Sequence, residues 1–153
     1  MMNTNWIWLD MDGTFVDLYG VEGWLQDLRS ESPAPYLNAR PLVNLSLLAR
    51  RLNALQRMGY SIGVISWASK NATKDYENAV AEAKRTWLSK HLPSVQWDEI
   101  IVASYGNPKS KAVPEIGILF DDEENNLIDW NNNNGLGINA ASMLEVLSKI
   151  IHG

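Results

Sequence analysis

The chain contains no cysteine, only two histidines, and fewer basic than acidic residues, 13 Lys and Arg against 18 Asp and Glu. Without cysteine there is no disulfide framework, no thiolate metal site and no thiol nucleophile, and a reducing, cytoplasmic setting is the expectation. The histidines, His91 and His152, fall at a predicted helix end and at the chain terminus, which argues against a His-based triad or His metal cluster. The shortage of positive charge leaves a net −5. Such a surface repels duplex DNA, whose non-specific affinity comes from neutralising phosphates. A small anionic ligand stays compatible, provided that cations gather locally. No run approaches the roughly 18 apolar residues of a membrane span. Met1 to Asp10 lacks a basic start and turns acidic after a short apolar run, so neither signal peptide nor anchor is expected. A G-x-x-x-x-G-K-[ST] phosphate loop is also missing.

What is present is an ordinary core-forming composition, 46% hydrophobic over 153 residues. A chain of about 150 residues buries roughly 68–70% of its unfolded surface without staples. No repeat or linker divides it, so residues 1–153 read as one domain. Trp6 to Leu9 is a short apolar run suited to a buried strand. Residues 15–40 hold Leu18, Val21, Leu25 and Leu28 at helical spacing before Ser32-Pro33-Ala34-Pro35, and read as a small helical insert. Leu42, Leu45, Leu48, Leu52 and Leu55 share one face of a helix over 41–58, with Pro41 in its first turn and Gly59 at its stop. A second strand (60–65), a long helix (75–91), a third strand (99–103), a fourth (116–120), a short helical piece and a fifth strand (136–138) follow. Ser142 and Glu145 form a capping box for a last helix. The alternation predicts an α/β, Rossmann-like three-layer sandwich around a mostly parallel five-stranded sheet. In such sheets ligands bind beyond the carboxyl ends of the strands.

Those ends carry the candidate chemistry. Leu9-Asp10-Met11-Asp12-Gly13-Thr14 places two carboxylates two residues apart directly after the first strand, with Gly13 letting the backbone turn sharply. Such a pair serves either as a turn cap with a solvated neighbour or as hard oxygen ligands for a divalent cation, Mg2+ above all. The second strand closes on Ser66 and Trp67. The fourth runs Ile118-Leu119-Phe120 straight into Asp121-Asp122, whereas Glu123 and Glu124 suit a helix start.

These segments together resemble the haloacid dehalogenase superfamily, whose first motif is a hydrophobic strand ending in D-x-D-G-T. The resemblance implies that Asp10 is the nucleophile, forming an aspartyl-phosphate, and that Asp12 is the general acid/base whose backbone carbonyl helps hold Mg2+. An acid at the Asp12 position implies a phosphatase rather than a dehalogenase or ATPase. Ser66, Trp67 and Gly13 are implied as phosphate contacts. Asp10, Asp12 and Asp121 are implied at the metal, with Asp122 behind them. The third motif is a lysine that neutralises nucleophile and phosphate. Lys109 and Lys111 compete for it, and Lys111, ten positions before Asp121, is preferred. The segment from Ala83-Lys84-Arg85-Thr86-Trp87 through Glu99-Ile100-Ile101-Val102 to the closely spaced Lys and Asp-Asp pair looks like the 5'(3')-deoxyribonucleotidase branch.

The expected function is therefore a Mg2+-dependent phosphomonoester hydrolase, with a (deoxy)nucleoside monophosphate as substrate and Tyr19, Trp24 and Trp67 as candidate stacking partners for its base. Because the insert is short, a sugar phosphate or the phosphorylated end of a larger molecule is the alternative. A non-catalytic Mg2+ or phosphate module is a third. The response-regulator receiver, which resembles this architecture, carries its phospho-accepting Asp after the third strand, where this chain has Val102-Ala103-Ser104.

Overall fold

The computed structural model describes residues 5–153. Residues 1–4, part of the segment read above for a leader, lie outside the described residues. The elements in chain order are β1 (Trp6–Leu9), β2 (Val16–Asp17), α1 (Trp24–Arg29), α2 (Ala34–Asn38), β3 (Arg40–Pro41), α3 (Leu45–Arg57), β4 (Ser61–Trp67) and α4 (Lys74–His91). Then come β5 (Glu99–Ala103), α5 (Lys109–Ala112), β6 (Ile118–Asp121), α6 (Glu124–Asn132), β7 (Leu136–Asn139) and α7 (Met143–His152).

Five strands form one parallel sheet in the order β5-β4-β1-β6-β7. The chain winds outward from β1 through β4 to β5, then crosses back to β6 and β7 on the other side. The winding reverses beside β1, which creates a crevice at its carboxyl end. Side chains alternate across the sheet as the strand period requires. Ile7, Leu9, Ile62, Val64 and Phe120 join Leu48, Leu52 and Leu55 of α3, Trp87 and Leu88 of α4 and Leu147 of α7 in the main core. Trp8, Ile65 and Leu119 point to the other face, against Trp130 of α6. The three-layer α/β arrangement expected from the alternation is thus the fold. Among the described residues no helix is long and apolar enough to cross a membrane.

Local chemistry explains where the element ends differ from expectation. Helix α3 starts at Asn44, whose side-chain oxygen accepts from the Leu47 amide, rather than at Pro41. Pro41 instead pairs with Val16 in the two-stranded β2–β3 ribbon, a position tolerant of a missing N–H because it lies at an edge. The three leucines that α3 buries completely each contribute about 1.5–3 kcal/mol. Ser142 makes no side-chain capping bond to α7. Asn139 caps the separate 3-10 turn over Ala140–Ser142, accepting from the Ala141 amide, and α7 still begins directly after Ser142.

The insert is tied at both ends by the β2–β3 ribbon and docks onto α4 through Leu18 and Tyr36, packed with Tyr76, Val80 and Ala83. Its two helices are short, α1 and α2 covering 6 and 5 residues, so it forms one wall beside the sheet edge.

Gly63 lies opposite Trp8 in the β1–β4 register, and a Cβ there would meet the indole ring at 2.4 Å. Gly63→Ala is therefore expected to destabilise the protein by about 1–3 kcal/mol through overpacking, measured as a lowered urea midpoint with unchanged denaturant dependence.

Candidate active site

Strands β1 and β6 pair with Leu9 opposite Phe120, so the residues that follow, Asp10 and Asp121, emerge side by side at the sheet's carboxyl edge. The Asp10 amide donates to the Phe120 carbonyl at 3.0 Å, extending the ladder into the site. Both side chains are buried. Lys109 holds them together, donating to Asp10 Oδ1 at 2.8 Å and to Asp121 Oδ2 at 2.7 Å. Thr14 Oγ1 donates to Asp10 Oδ2 at 3.0 Å. Asn126 Nδ2 and the Glu123 amide donate to Asp121 at 3.1 and 2.9 Å.

The lysine at this position is Lys109, not Lys111. Consecutive residues of a helix turn by about 100°, so two lysines two positions apart point to nearly opposite sides. In α5 the inward one is Lys109, 2% exposed, while Lys111 is exposed to solvent. Ser110 fixes that rotation, its hydroxyl and amide both bonded to Asp129 of α6. Counting residues back from Asp121 does not contain this information.

Asp12 turns away from the other acids. Its carboxylate accepts from Lys84 at 2.9 Å and lies outside the trio of Asp10, Asp121 and Asp122, whose oxygens lie within 4.8 Å of one another. Any metal contact from Asp12 therefore falls to its main-chain carbonyl. Asp122, expected behind the ligands, stands level with them and exposed to the cavity, which makes it a direct candidate ligand. Gly13 is what admits it. With φ +83° it takes a turn that L residues rarely adopt, and a Cβ would come within 2.3 Å of Asp122 Oδ2. The Gly13 amide donates to the Val16 carbonyl at 2.9 Å, so this residue makes room rather than binding phosphate.

Ser66 and Trp67 are the last residues of β4, which runs two residues beyond the expected end at 65. The buried Ser66 hydroxyl accepts from Lys84, and its own proton is left for a substrate oxygen. The Trp67 indole N–H donates to the Asn107 carbonyl at 2.8 Å and is not available to a phosphate. Its ring lies 5.5 Å from the Lys109 ammonium and 5.0 Å from Tyr105. Across a cavity of about 700 Å³ stand Tyr19 and Trp24 of the insert, themselves in edge contact at 5.0 Å. Tyr19, Trp24 and Trp67 thus all line the cavity. His91 stacks on Trp87 at 4.3 Å and takes no part.

Four carboxylates, Asp10, Asp12, Asp121 and Asp122, here face two ammonium groups, Lys84 and Lys109. Burial drives the Asp12 pKa up, the Lys84 charge and hydrogen bond pulling against it, and the net displacement is upward. Burial and then the Asp10 charge raise Asp121. Burial, a hydrogen bond with Asp10 and its charge push Asp122 up to about 7. Burial opposes the Lys109 charge, but the Asp10 and Asp121 carboxylates outweigh it and raise its pKa. The excess of anionic oxygen at Asp10, Asp121 and Asp122 is the donor set that a hard divalent cation takes.

Sequence reasoning does not assign Lys84, Thr14 or Asn126 a role. Lys84 leaves a readable trace, a cation set among Val80, Ala83, Trp87 and Leu88 on the buried stripe of α4. Thr14 and Asn126 leave none beyond their nearness in sequence to Asp10 and Asp121.

Lys109→Met strands two buried carboxylates and is expected to lower unfolding free energy by about 3–5 kcal/mol, whereas Lys111→Met changes it by less than about 0.5 kcal/mol, both measured by urea titration without metal. Because the folded Asp122 pKa, about 7, lies above the ordinary carboxyl value of 3.8, the native state holds this proton more tightly than the unfolded chain. Its contribution is present below the unfolded value and is lost as pH rises through 7. The metal-free unfolding temperature should accordingly fall between pH 5 and pH 8, and Asp122→Asn should flatten that dependence.

No family model and no curated protein matches the chain. Among solved structures, an uncharacterized protein from Corynebacterium glutamicum ATCC 13032 Kitasato superposes with a TM-score of 0.50 at 13% identity, covering 98% of this chain and 94% of that one. At this identity the likeness is one of fold, and the α/β architecture with its parallel sheet is what the two chains share.

Proposed function

We propose that the chain is a Mg2+-dependent phosphomonoesterase of the haloacid dehalogenase type, acting through an aspartyl-phosphate on Asp10. The observation that carries this reading is the bridge from Asp10 through buried Lys109 to Asp121 at the edge of two adjacent parallel strands, with a second acid of raised pKa, Asp12, two residues on. Asp10, Asp121, Asp122 and the Asp12 carbonyl would hold the cation. When bound, Mg2+ supplies positive charge to the phosphoryl oxygens and offsets the clustered carboxylates.

The chain's own groups account for the remaining steps. The Asp10 carboxylate attacks phosphorus, and the bond from phosphorus to the ester oxygen breaks. Asp12 gives its proton to the departing alkoxide, a role suited to a carboxyl whose neutral form is favoured by burial. Asp12 then takes a proton from the water that attacks the phosphoaspartate, releasing phosphate and restoring Asp10. Lys109 donates two of its three N–H groups to Asp10 and Asp121 and has the third for a phosphoryl oxygen, with the Ser66 hydroxyl as a second donor.

A nucleoside monophosphate is the substrate class that fits the cavity best. Aromatic pairs stand at two of its walls, and aromatic faces accept planar bases. The exposure of Tyr19 and Tyr105, 56% and 52%, favours as a second reading the phosphorylated end of a larger molecule, because the mouth is wide.

Phosphate release from a panel of nucleoside monophosphates and sugar phosphates should require Mg2+ and be abolished by chelation. Asp10→Asn should lower kcat by at least about 10,000-fold, and Asp12→Asn by about 100- to 10,000-fold. Metal binding without turnover of any substrate would favour a binding module instead.

A further inference from the structure

Lys84 takes no direct part in the reaction as proposed, yet it is 1% exposed and sits in the apolar stripe of α4. A buried ammonium costs several kcal/mol unless fully paired. It is fully paired here: its Nζ donates to Asp12 Oδ2 at 2.9 Å, to the Trp67 carbonyl at 2.9 Å and to Ser66 Oγ at 2.5 Å. An ammonium has three N–H groups, so Lys84 has none left for a substrate oxygen, unlike Lys109. Tyr36 closes the site from the insert side. Its ring lies 5.2 Å from the Lys84 nitrogen, and its hydroxyl is bonded to Ser69 in the segment after β4.

We infer that Lys84, roofed by Tyr36, is a positioning residue: it fixes the Asp12 carboxyl where proton delivery to the leaving group takes place and ties it to the Ser66 end of β4. This rests on the phosphatase reading above and adds to it a division of labour between two buried lysines. Lys109 serves the attacking carboxylate and the phosphoryl group. Lys84 serves the proton donor. The insert, too short to cover the site fully, supplies the aromatic face that keeps water from this second ammonium.

The test uses two substrates that differ in their need for a proton. An alkoxide leaving group, as in a nucleoside 5'-monophosphate, departs only when protonated, whereas p-nitrophenolate departs without help. With Mg2+ present, Lys84→Met should lower the single-turnover rate of leaving-group release from the nucleoside 5'-monophosphate by at least about 100-fold and from p-nitrophenyl phosphate by less than about 10-fold, a readout that precedes the water attack in which Asp12 serves both substrates alike. Loosening of Ser66 should appear separately, as a KM raised equally for both substrates. An equal loss in the rate of leaving-group release from both substrates would show a merely structural role and overturn the inference.

If Lys84→Met does not fold, Asp12→Asn with Lys84→Met decides, because it strands no buried charge. Compared with Asp12→Asn alone, the double variant should change kcat on either substrate by no more than about 3-fold, since Lys84 acts through a group already removed. A further large loss on p-nitrophenyl phosphate would place Lys84 on the phosphoryl group and overturn the inference. If the wild-type protein turns over neither substrate, the phosphatase reading fails first and this inference with it.

Discussion

Carboxylates brought together at the edge of a sheet repel one another, and burial raises the energy of each charged form further. That constraint organises this molecule. Parallel pairing of β1 with β6 puts Asp10 beside Asp121, Gly13 opens the turn that admits Asp122, and Asp12 follows two residues later. Two lysines from different elements enter the sheet edge to hold these acids, Lys109 from the short α5 and Lys84 from the middle of α4. Their positive charge is smaller than the negative charge they face, and the remainder is a local excess of carboxylate that a divalent cation would offset.

The same constraint explains details that seem remote from the chemistry. Ser110 bonds Asp129 and so sets the rotation of α5 that turns Lys109 inward. Tyr36 of the insert covers Lys84, which gives the 15–40 segment a structural task even without enclosing a ligand. Tryptophans carry much of the support on the opposite face: Trp8 and Trp130 are fully buried and spend their indole N–H groups on the carbonyls of Glu115 and Gly117, fixing the segment that leads into β6.

The architecture was legible because its signals are periodic. The apolar strand of Trp6–Leu9, the leucine stripe of α3 and the apolar run into Asp121 each state their own burial, and strict alternation of strand and helix leaves few ways to arrange them. Asp10, Ser66 and Asp121 are legible because each stands at or directly beyond the end of such a strand, and Asp12 because it follows Asp10 in the same turn. The lysines were not, since each depends on the rotation of a helix about its axis, which packing sets and which spacing along the chain does not record. Spacing along the chain therefore favours Lys111 over Lys109, and Lys84 reads only as part of a helix. The start of α3 differs for a related reason: Pro41 has the right chemistry for a first helical turn, but a ribbon claims it first, whereas Ser142 does precede α7 and lacks only the capping bond. The place of Asp122 beside Asp10 and Asp121 depends on the turn at Gly13, which only three dimensions reveal.

The proposed mechanism requires that Asp10 become phosphorylated during turnover. Borohydride quenching of the protein while it turns over a phosphomonoester with Mg2+ reduces an acyl-phosphate to an alcohol, and peptide mass spectrometry then locates the altered residue. Homoserine is expected at position 10, dependent on Mg2+ and substrate. Steady phosphate release with position 10 unaltered, or with the alteration on another carboxylate, would contradict it.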